Sequence, residues 1–456
     1  MKKEVLLVFD IGKTNKKVLL FDMNFKVLHE EETRFAEVLD DDGFTCDDGD
    51  KLEKWIDESL ALFLNHDRYN VRAINFTTYG ATLIYVDENG KRLTPVYNYL
   101  KSMPDKVLEG FYEKYGGIDE FSRQTASPAM GMLNSGLQAL WLKKEKKGVF
   151  NKVMAIMHLP QYLSFRLTGK ITSEHTSIGC HTALWDFDRM QYHQWIKDEF
   201  LSLPDPLNVS TVFPAEIEGK TVDVGIGIHD SSASLAPYIL NSKEPFILVS
   251  TGTWCISMNP FNHSPLTAEE LKQDCLCYMS VSMKPVKSSR VFLGHIHDIN
   301  VRNLAEYFKV DNDCYKTVKS DKDLVNKLIR ENRGTSFFFP SGIPESYLNE
   351  QIDLDRFASF DEAYHQLMVD LTEIIVTSIG LIVPEDDNTR NIYITGGFAR
   401  NEIFTGLLAG AFKEKKVFTS EVDNATSLGA AMVVAGELGT GPELSLDLGL
   451  QPVSHF

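Results

Sequence analysis

Residues 5–22 read VLLVFDIGKTNKKVLLFD, and no other stretch limits the possible folds so tightly. Val5 to Phe9 form an uninterrupted apolar run rich in strand formers, and Asp10 closes it where the backbone turns toward solvent. A second apolar run follows as far as Asp22, so the segment predicts strand, turn, strand. Gly12 lets the turn pass close to an anion, and Thr14 and Asn15 offer donors. Lys13, Lys16 and Lys17 make the turn electropositive enough to attract polyphosphate. Asp10 is then placed to hold a magnesium ion, directly or through water, because hard cations take oxygen ligands. Taken alone, the same residues are equally a β-hairpin whose Gly12 only satisfies turn geometry.

The turn is neither a P-loop nor a Gly-x-Gly-x-x-Gly opening onto a helix. A similar unit recurs at residues 246–258, FILVSTGTWCISM, where Ser250, Thr251, Gly252 and Thr253 form a small polar turn between two apolar strands. The two units together predict an internal duplication with paired phosphate-gripping hairpins. A third element is NIYITGGFARNEIFTGLLAGAF at 391–412. Ile392 to Ile394 predict a strand, Gly396 and Gly397 a tight turn, and Ile403, Leu407, Leu408 and Ala411 an apolar helix face. Paired glycines at such a junction let a planar ring lie on bare backbone, and free amides at a helix start suit phosphate. NATSLGAAMVVAG at 424–436 predicts a small-residue helix packed behind the pocket.

The turn at Asp10 to Thr14 resembles the first phosphate loop of the actin-like ATPase superfamily, and the ordered set of motifs resembles the FGGY family of carbohydrate kinases over nearly the whole chain. Trp141 with its neighbours, and Leu159-Pro160-Gln161-Tyr162 running on to Leu167-Thr168-Gly169, are similar to the family's middle region. Thr251-Gly252-Thr253-Trp254 and His229-Asp230-Ser231-Ser232-Ala233-Ser234 resemble its rhamnulokinase and fuculokinase branch. The resemblance implies an α/β fold of two actin-like (ribonuclease H-like) domains around an ATP and sugar cleft, divided as 1–238 and 239–456. It implies Asp230 as general base, accepting the proton of a sugar hydroxyl as that oxygen attacks the γ-phosphorus of ATP. Without the resemblance, a helix N-cap is the better reading of Asp230.

The resemblance further places Gly12, Lys13, Thr14, Asn15, Lys17, Thr251, Gly252 and Thr253 near phosphate, and Gly396, Gly397, Arg400 and Asn401 near the adenosine. Tyr79, Gly80, Thr82, Gln161, His229 and Asp230 are the implied sugar contacts, and Asp10 the implied magnesium contact. Two residues depart from the family's pattern. Thr82 stands where the branch usually has an aspartate and cannot offer a carboxylate to a pair of hydroxyls. Lys13 stands where many members have a small or hydroxyl residue, so that it either tightens nucleotide binding or faces solvent. A deoxyketose such as L-rhamnulose or L-fuculose is the first expectation for the acceptor. Xylulose, another ketose or a polyol is the second, and a nucleotide-gated sensor without catalysis is the reading from another class.

Composition agrees with two domains, since 456 residues exceed one ordinary core. No apolar run reaches the length of a membrane span, and the short apolar start after Met1-Lys2-Lys3-Glu4 is not a signal peptide, so a cytoplasmic protein is expected. A net charge of −18 argues against nucleic acid as a partner. A homodimer is a plausible assembly, although no motif specifies an interface. Glu37, Asp40, Asp41, Asp42, Asp47, Asp48 and Asp50 crowd one segment whose spacing does not fit a calcium loop, which predicts a solvated loop. Lys143 to Lys147 predict an exposed helix end. The six cysteines form no zinc framework and should be reduced, and His295, His297 and Asp298 lack further ligands at metal spacing. Residues 52–64 and 361–383 predict core-facing helices, Pro237, Asn241 and Ser242 a break before the second hairpin, and the stretch after Gly436 a tail that is partly mobile.

Overall fold

A computed structural model of the chain describes residues 2–199, 201–331, 353–438 and 446–456. The first half is built on one seven-stranded sheet. Its centre is β1 (Lys3–Ile11), antiparallel to β2 (Lys16–Asp22), which in turn pairs with β3 (Val27–Thr33). On its other side β1 runs parallel to β4 (Tyr69–Thr78). The strand continues through Asp10 because Ile11 returns to the core, fully buried like Val5 to Phe9. β5 (Val212–Ile217) and β6 (Lys220–Gly225) form a hairpin whose turn, Glu218 and Gly219, has the two positive φ angles that match strand twist. The order is β5-β6-β4-β1-β2-β3, with β7 (Ile228–His229) beside the end of β4.

The second half repeats that plan. β8 (Phe246–Thr251) and β9 (Cys255–Asn259) are the second hairpin, β10 (Cys275–Met279) and β11 (Pro285–Val291) extend it, and β12 (Asn391–Gly396), β13 (Lys416–Thr419) and β14 (Gln451–Pro452) complete a sheet ordered β10-β11-β9-β8-β12-β13-β14. β8 is antiparallel to its hairpin partner on one side and parallel to β12 on the other. β1 has the same two kinds of neighbour, so the duplication that is faint in the residues is explicit in the topology.

Helices cover these sheets as their apolar spacing requires. In α1 (Gly49–Leu64), Leu52, Ile56, Leu60 and Phe63 are buried, and the helix begins at Gly49 because the Asp48 carboxylate accepts the Lys51 amide, a cap worth about 1 kcal/mol. α2 (Ser135–Glu145) carries Trp141, and α3 (Leu159–Thr168) ends where Gly169 takes a left-handed conformation. α4 (Asp230–Asn241) joins the halves, and the division drawn at 238 and 239 lies within it. Its Ala233 and Ala236 pack with Leu6 and Val8 of the first sheet, while Leu235 and Tyr238 pack with Phe246 and Leu248 of the second. α5 (Leu293–Phe308), α6 (Phe360–Gly380), α7 (Glu402–Ala411) and α8 (Ala425–Glu437) follow. Among the described residues no helix is long and apolar enough to cross a membrane.

Several local expectations change. Pro237 does not break α4, which runs through it to Asn241. Proline cannot donate to the Ala233 carbonyl, and Gly429 of α8 lies against that carbonyl so closely that a Cβ would sit 1.9 Å from the oxygen. The acidic segment is not a solvated loop, since Asp40 and Asp47 are buried. Lys101 pairs with Asp40 and Asp42, and Lys146 with Asp41 and Asp42, so lysines remote in sequence neutralise it. The helix α2 does end there with Lys144 and Lys147 exposed as expected, while Lys146 is held by these carboxylates and Lys143 pairs with Glu199. All six cysteines are free thiols, with Cys275 and Cys277 both buried on one face of β10. Gly439, Gly441 and Pro442 lie outside the described residues.

Gly429→Val forces a side chain into a backbone carbonyl that cannot rotate away. We expect a loss of about 1–3 kcal/mol, read as a lower urea midpoint. An unchanged midpoint would show that α4 and α8 separate freely.

Candidate active site

The turns after β8 and β12 are locked together. The Thr251 hydroxyl donates to the Thr395 carbonyl (2.6 Å) and accepts the Phe398 amide (3.0 Å), which leaves it braced between two turns rather than open to a phosphate. Gly396, at φ 87°, lies so close that a Cβ would stand 1.8 Å from the Thr251 carbonyl oxygen, and only glycine fits. The lock leaves Gly252, Thr253 and Gly397 exposed on the rim of a cavity of about 830 Å³. Arg400 and Asn401 line the same cavity. Asn401 is held rigidly: its carbonyl oxygen accepts the amides of Ile403 and Phe404 at the start of α7, and its Nδ2 donates to the Tyr364 hydroxyl at 2.9 Å. Gly252, Gly294 and Gly397 line the cavity together with Tyr315, Tyr364 and Phe398, and the volume suits a nucleotide.

Sequence reasoning missed much of that lining, including Gly294, Tyr315, Lys316 and Lys319. Tyr364 reads as core from its helical spacing, and residues 315–319 carry no motif. His297 is buried, its Nε2 3.3 Å from the Tyr364 hydroxyl, which makes it a pocket histidine.

The first loop is tight, because a Cβ on Gly12 would stand 2.9 Å from the Asn15 carbonyl oxygen. Thr14 is exposed at its tip, and the Asn15 carbonyl side chain accepts Arg34 Nε at 2.7 Å. α8 closes the loop from above: Ser427 Oγ donates to Asp10 Oδ2 at 2.7 Å, and Lys17 Nζ donates to Asn424 at 3.1 Å and to Glu30 at 2.8 Å. The expected positive turn is largely compensated. Lys13 Nζ lies 2.7 Å from Asp47 and 3.2 Å from Glu37, and the buried Lys16 Nζ donates to Asp47 at 3.1 Å and to the Lys13 carbonyl at 2.9 Å. A carboxylate more than thirty positions downstream therefore takes two of the three cations, which loop composition cannot reveal.

Asp230 is the first residue of α4, while the cap position belongs to His229, whose side chain makes no cap bond. The N-cap reading of Asp230 is thus replaced by a carboxylate facing the cleft, 32% exposed. Its Oδ1 accepts the Ser231 amide at 2.6 Å and lies 3.1 Å from His229 Nε2. Burial pushes the Asp230 carboxyl up to about 6, against the opposing bond from Ser231. Asp10 is likewise pushed up to about 6, chiefly by burial, with the Ser427 bond opposing and the Asp230 charge adding to the rise. Burial pulls His229 down to about 4, so near neutral pH its ring is uncharged and can donate to Asp230. Two partly buried carboxylates that repel one another fit a divalent cation, whose charge would relieve both penalties.

The sugar-side residues are divided by their burial. Tyr79 donates to Asp47 at 2.6 Å, and His229 Nε2 stands 2.9 Å from where a Gly80 side chain would begin. Thr82 is buried, with its hydroxyl 3.3 Å from the Gly80 carbonyl. Gln161 is wholly buried, and its amide donates to the carbonyls of Ile226 (3.2 Å) and Gly227 (3.1 Å). It holds the loop before His229 and Asp230 from behind. Tyr99, which meets Tyr79 edge-on at 6.2 Å, and Asp47 are additions that the residues alone did not signal.

Comparison with known proteins agrees with this geometry. Residues 5–216 match the N-terminal domain of the FGGY family of carbohydrate kinases, and residues 243–442 match the carbohydrate kinase FGGY C-terminal domain. A rhamnulokinase of Oceanobacillus iheyensis is 22% identical, covering 94% of this chain and 92% of its own. Among solved structures, a carbohydrate kinase from Novosphingobium aromaticivorans aligns with a TM-score of 0.80 at 24% identity, over 100% of this chain and 95% of that one. A xylulose kinase from Lactobacillus acidophilus aligns at 0.74 and 18% identity, over 98% and 92%. With both domains matched in order around the two hairpins, the chain belongs to the FGGY family of carbohydrate kinases.

Proposed function

We propose that the protein transfers the γ-phosphoryl group of ATP to a hydroxyl of a ketose, with a deoxyketose of the L-rhamnulose or L-fuculose type as the first choice. The observation that carries this reading is the Asp230 carboxylate, set at the open end of α4 with His229 Nε2 3.1 Å away, and poised to be ionised at neutral pH while still basic enough to take a proton. The hydroxyl oxygen attacks the γ-phosphorus, its proton passes to Asp230, and ADP leaves. Gly252, Thr253, Gly397, Arg400 and Asn401 hold the nucleotide in the cavity they line, with Thr14 and Asn15 meeting the phosphates from the other side. Asp10 holds magnesium, which supplies neutralisation of phosphate charge. His229 keeps the Asp230 carboxylate oriented, and Gln161 keeps the preceding loop in place.

The curated relatives named rhamnulokinase support the deoxyketose. A second reading, xylulose or another ketose, is favoured by Thr82, which brings no carboxylate to the wall and is buried besides. Coupled ADP release over L-rhamnulose, L-fuculose, D- and L-xylulose, L-ribulose and glycerol decides between them. Turnover of xylulose well above both deoxyketoses would displace the first choice.

Asp230→Asn should lower transfer about 10²- to 10⁴-fold while nucleotide titration shows ADP binding unchanged. Transfer at the native rate would remove the role given to Asp230, and an absence of transfer by the wild-type chain with every acceptor would favour a nucleotide-gated sensor. The pH dependence follows from the same group. A base must be deprotonated, so kcat/KM should be level near pH 7.5 and fall with an acid limb centred near the Asp230 value of about 6. A profile still flat at pH 5 would exclude Asp230 as the titrating base.

A further inference from the structure

The departure at Lys13 has a structural counterpart in the acidic segment. Asp47 lies buried between the first phosphate loop and the sugar-side wall, and its two oxygens receive the Tyr79 hydroxyl (2.6 Å), Lys13 Nζ (2.7 Å) and Lys16 Nζ (3.1 Å). Lys16 is completely enclosed and balances the Asp47 charge. Lys13 is the more open of the two cations in a cluster that also holds Glu37. Its remaining partner, Glu37 at 3.2 Å, is 43% exposed, and such a pair is weak. Lys13 itself keeps 22% of its side chain open.

Position gives this cation its meaning. Lys13 Nζ stands 5.8 Å from the centre of the Tyr79 ring, Tyr79 meets Tyr99 edge-on, and the next residue, Gly80, lies against His229, the partner of Asp230. One continuous wall therefore runs from Lys13 to the candidate base. Thr82 and Gln161, the other polar residues expected there, are buried at 1% and 0% and show the cleft almost nothing. The polar side chains on this wall with open surface include Lys13, Asp230 and the partly exposed Tyr99. An ammonium only donates, so a wall of this kind complements an oxygen that accepts, whereas the aspartate usual at the position of Thr82 complements hydroxyls that donate.

Resting on the kinase reading above, we infer that Lys13, positioned by Asp47 and Tyr79, selects the acceptor by donating to its carbonyl or carboxylate oxygen. The cleft accordingly takes a polyhydroxy carbonyl compound or the matching aldonate in preference to the reduced polyol.

The test uses the full chain with magnesium and ATP, comparing ketoses, aldonates and alditols of five and six carbons. The wild-type protein should show kcat/KM at least about tenfold lower for each alditol than for the matching ketose or aldonate. Turnover of the ketose identifies a carbonyl as the group read by Lys13, and turnover of the aldonate identifies a carboxylate. Lys13→Met should raise KM for the preferred acceptor about tenfold and flatten the preference, leaving KM for ATP within twofold. Tyr79→Phe, which loses only the bond to Asp47, should raise the same KM by a smaller factor. An unchanged acceptor KM in Lys13→Met overturns the inference, as does a parallel rise in KM for ATP, which would make Lys13 a phosphate residue. A wild-type protein that turns over no acceptor overturns the kinase reading itself, a result distinct from both.

Discussion

The close approach of α8 to α4 at Gly429 is the contact on which the rest of the cleft depends. Without a side chain at Gly429, the helix lies directly on the Ala233 carbonyl that Pro237 leaves without its helical donor. That single seat fixes the N-terminal end of α8. Ser427 lands on Asp10 and Asn424 on Lys17, so the first hairpin is closed by a helix from the far half of the chain. The same seat holds α4, whose first residue is Asp230. Two carboxylates from separate motifs thereby come close enough for the charge of one to raise the other. The cost of burying them is the physical reason both resist ionisation, and charge brought by magnesium and nucleotide would offset it.

A second organising interaction is electrostatic. Asp47 gathers Lys13, Lys16 and Tyr79 in a place where an unpaired carboxylate would be strongly unfavourable. The first hairpin turn is thus tied to the wall that carries Tyr79. The Thr251 lock plays the matching part in the second half, since one hydroxyl binds the turns after β8 and β12 and lets bare glycine backbone form the pocket rim.

Much of the architecture was legible from local pattern. Val5 to Phe9, Phe246 to Val249 and the spacing of Leu52, Ile56, Leu60 and Phe63 announce their elements because burial on one face writes a period into the chain. Gly396 announces its turn because a Cβ there would strike the neighbouring strand. The reading weakened where a side chain's partner lay far away in sequence. The acidic segment looked solvated because Lys101 and Lys146 are more than fifty positions from the carboxylates they meet. Tyr364 belongs to the core face of its helix and also borders the cavity, a second role that helical spacing does not reveal.

By itself, then, the sequence determined two strand-turn-strand units, a glycine junction and a small-residue helix, since each rests on periodicity or on backbone demands met within a few residues, while Asp230 stood out as a base only through the family resemblance. Only the tertiary structure decided which polar groups remain open to the cleft. Thr251, Gln161 and Thr82 carry suitable chemistry but are enclosed or already bonded, whereas Lys13 and Asp230 keep free surface. The reason is that burial and neutralisation are set by the whole surrounding of an atom, and most of that surrounding comes from residues that are distant along the chain.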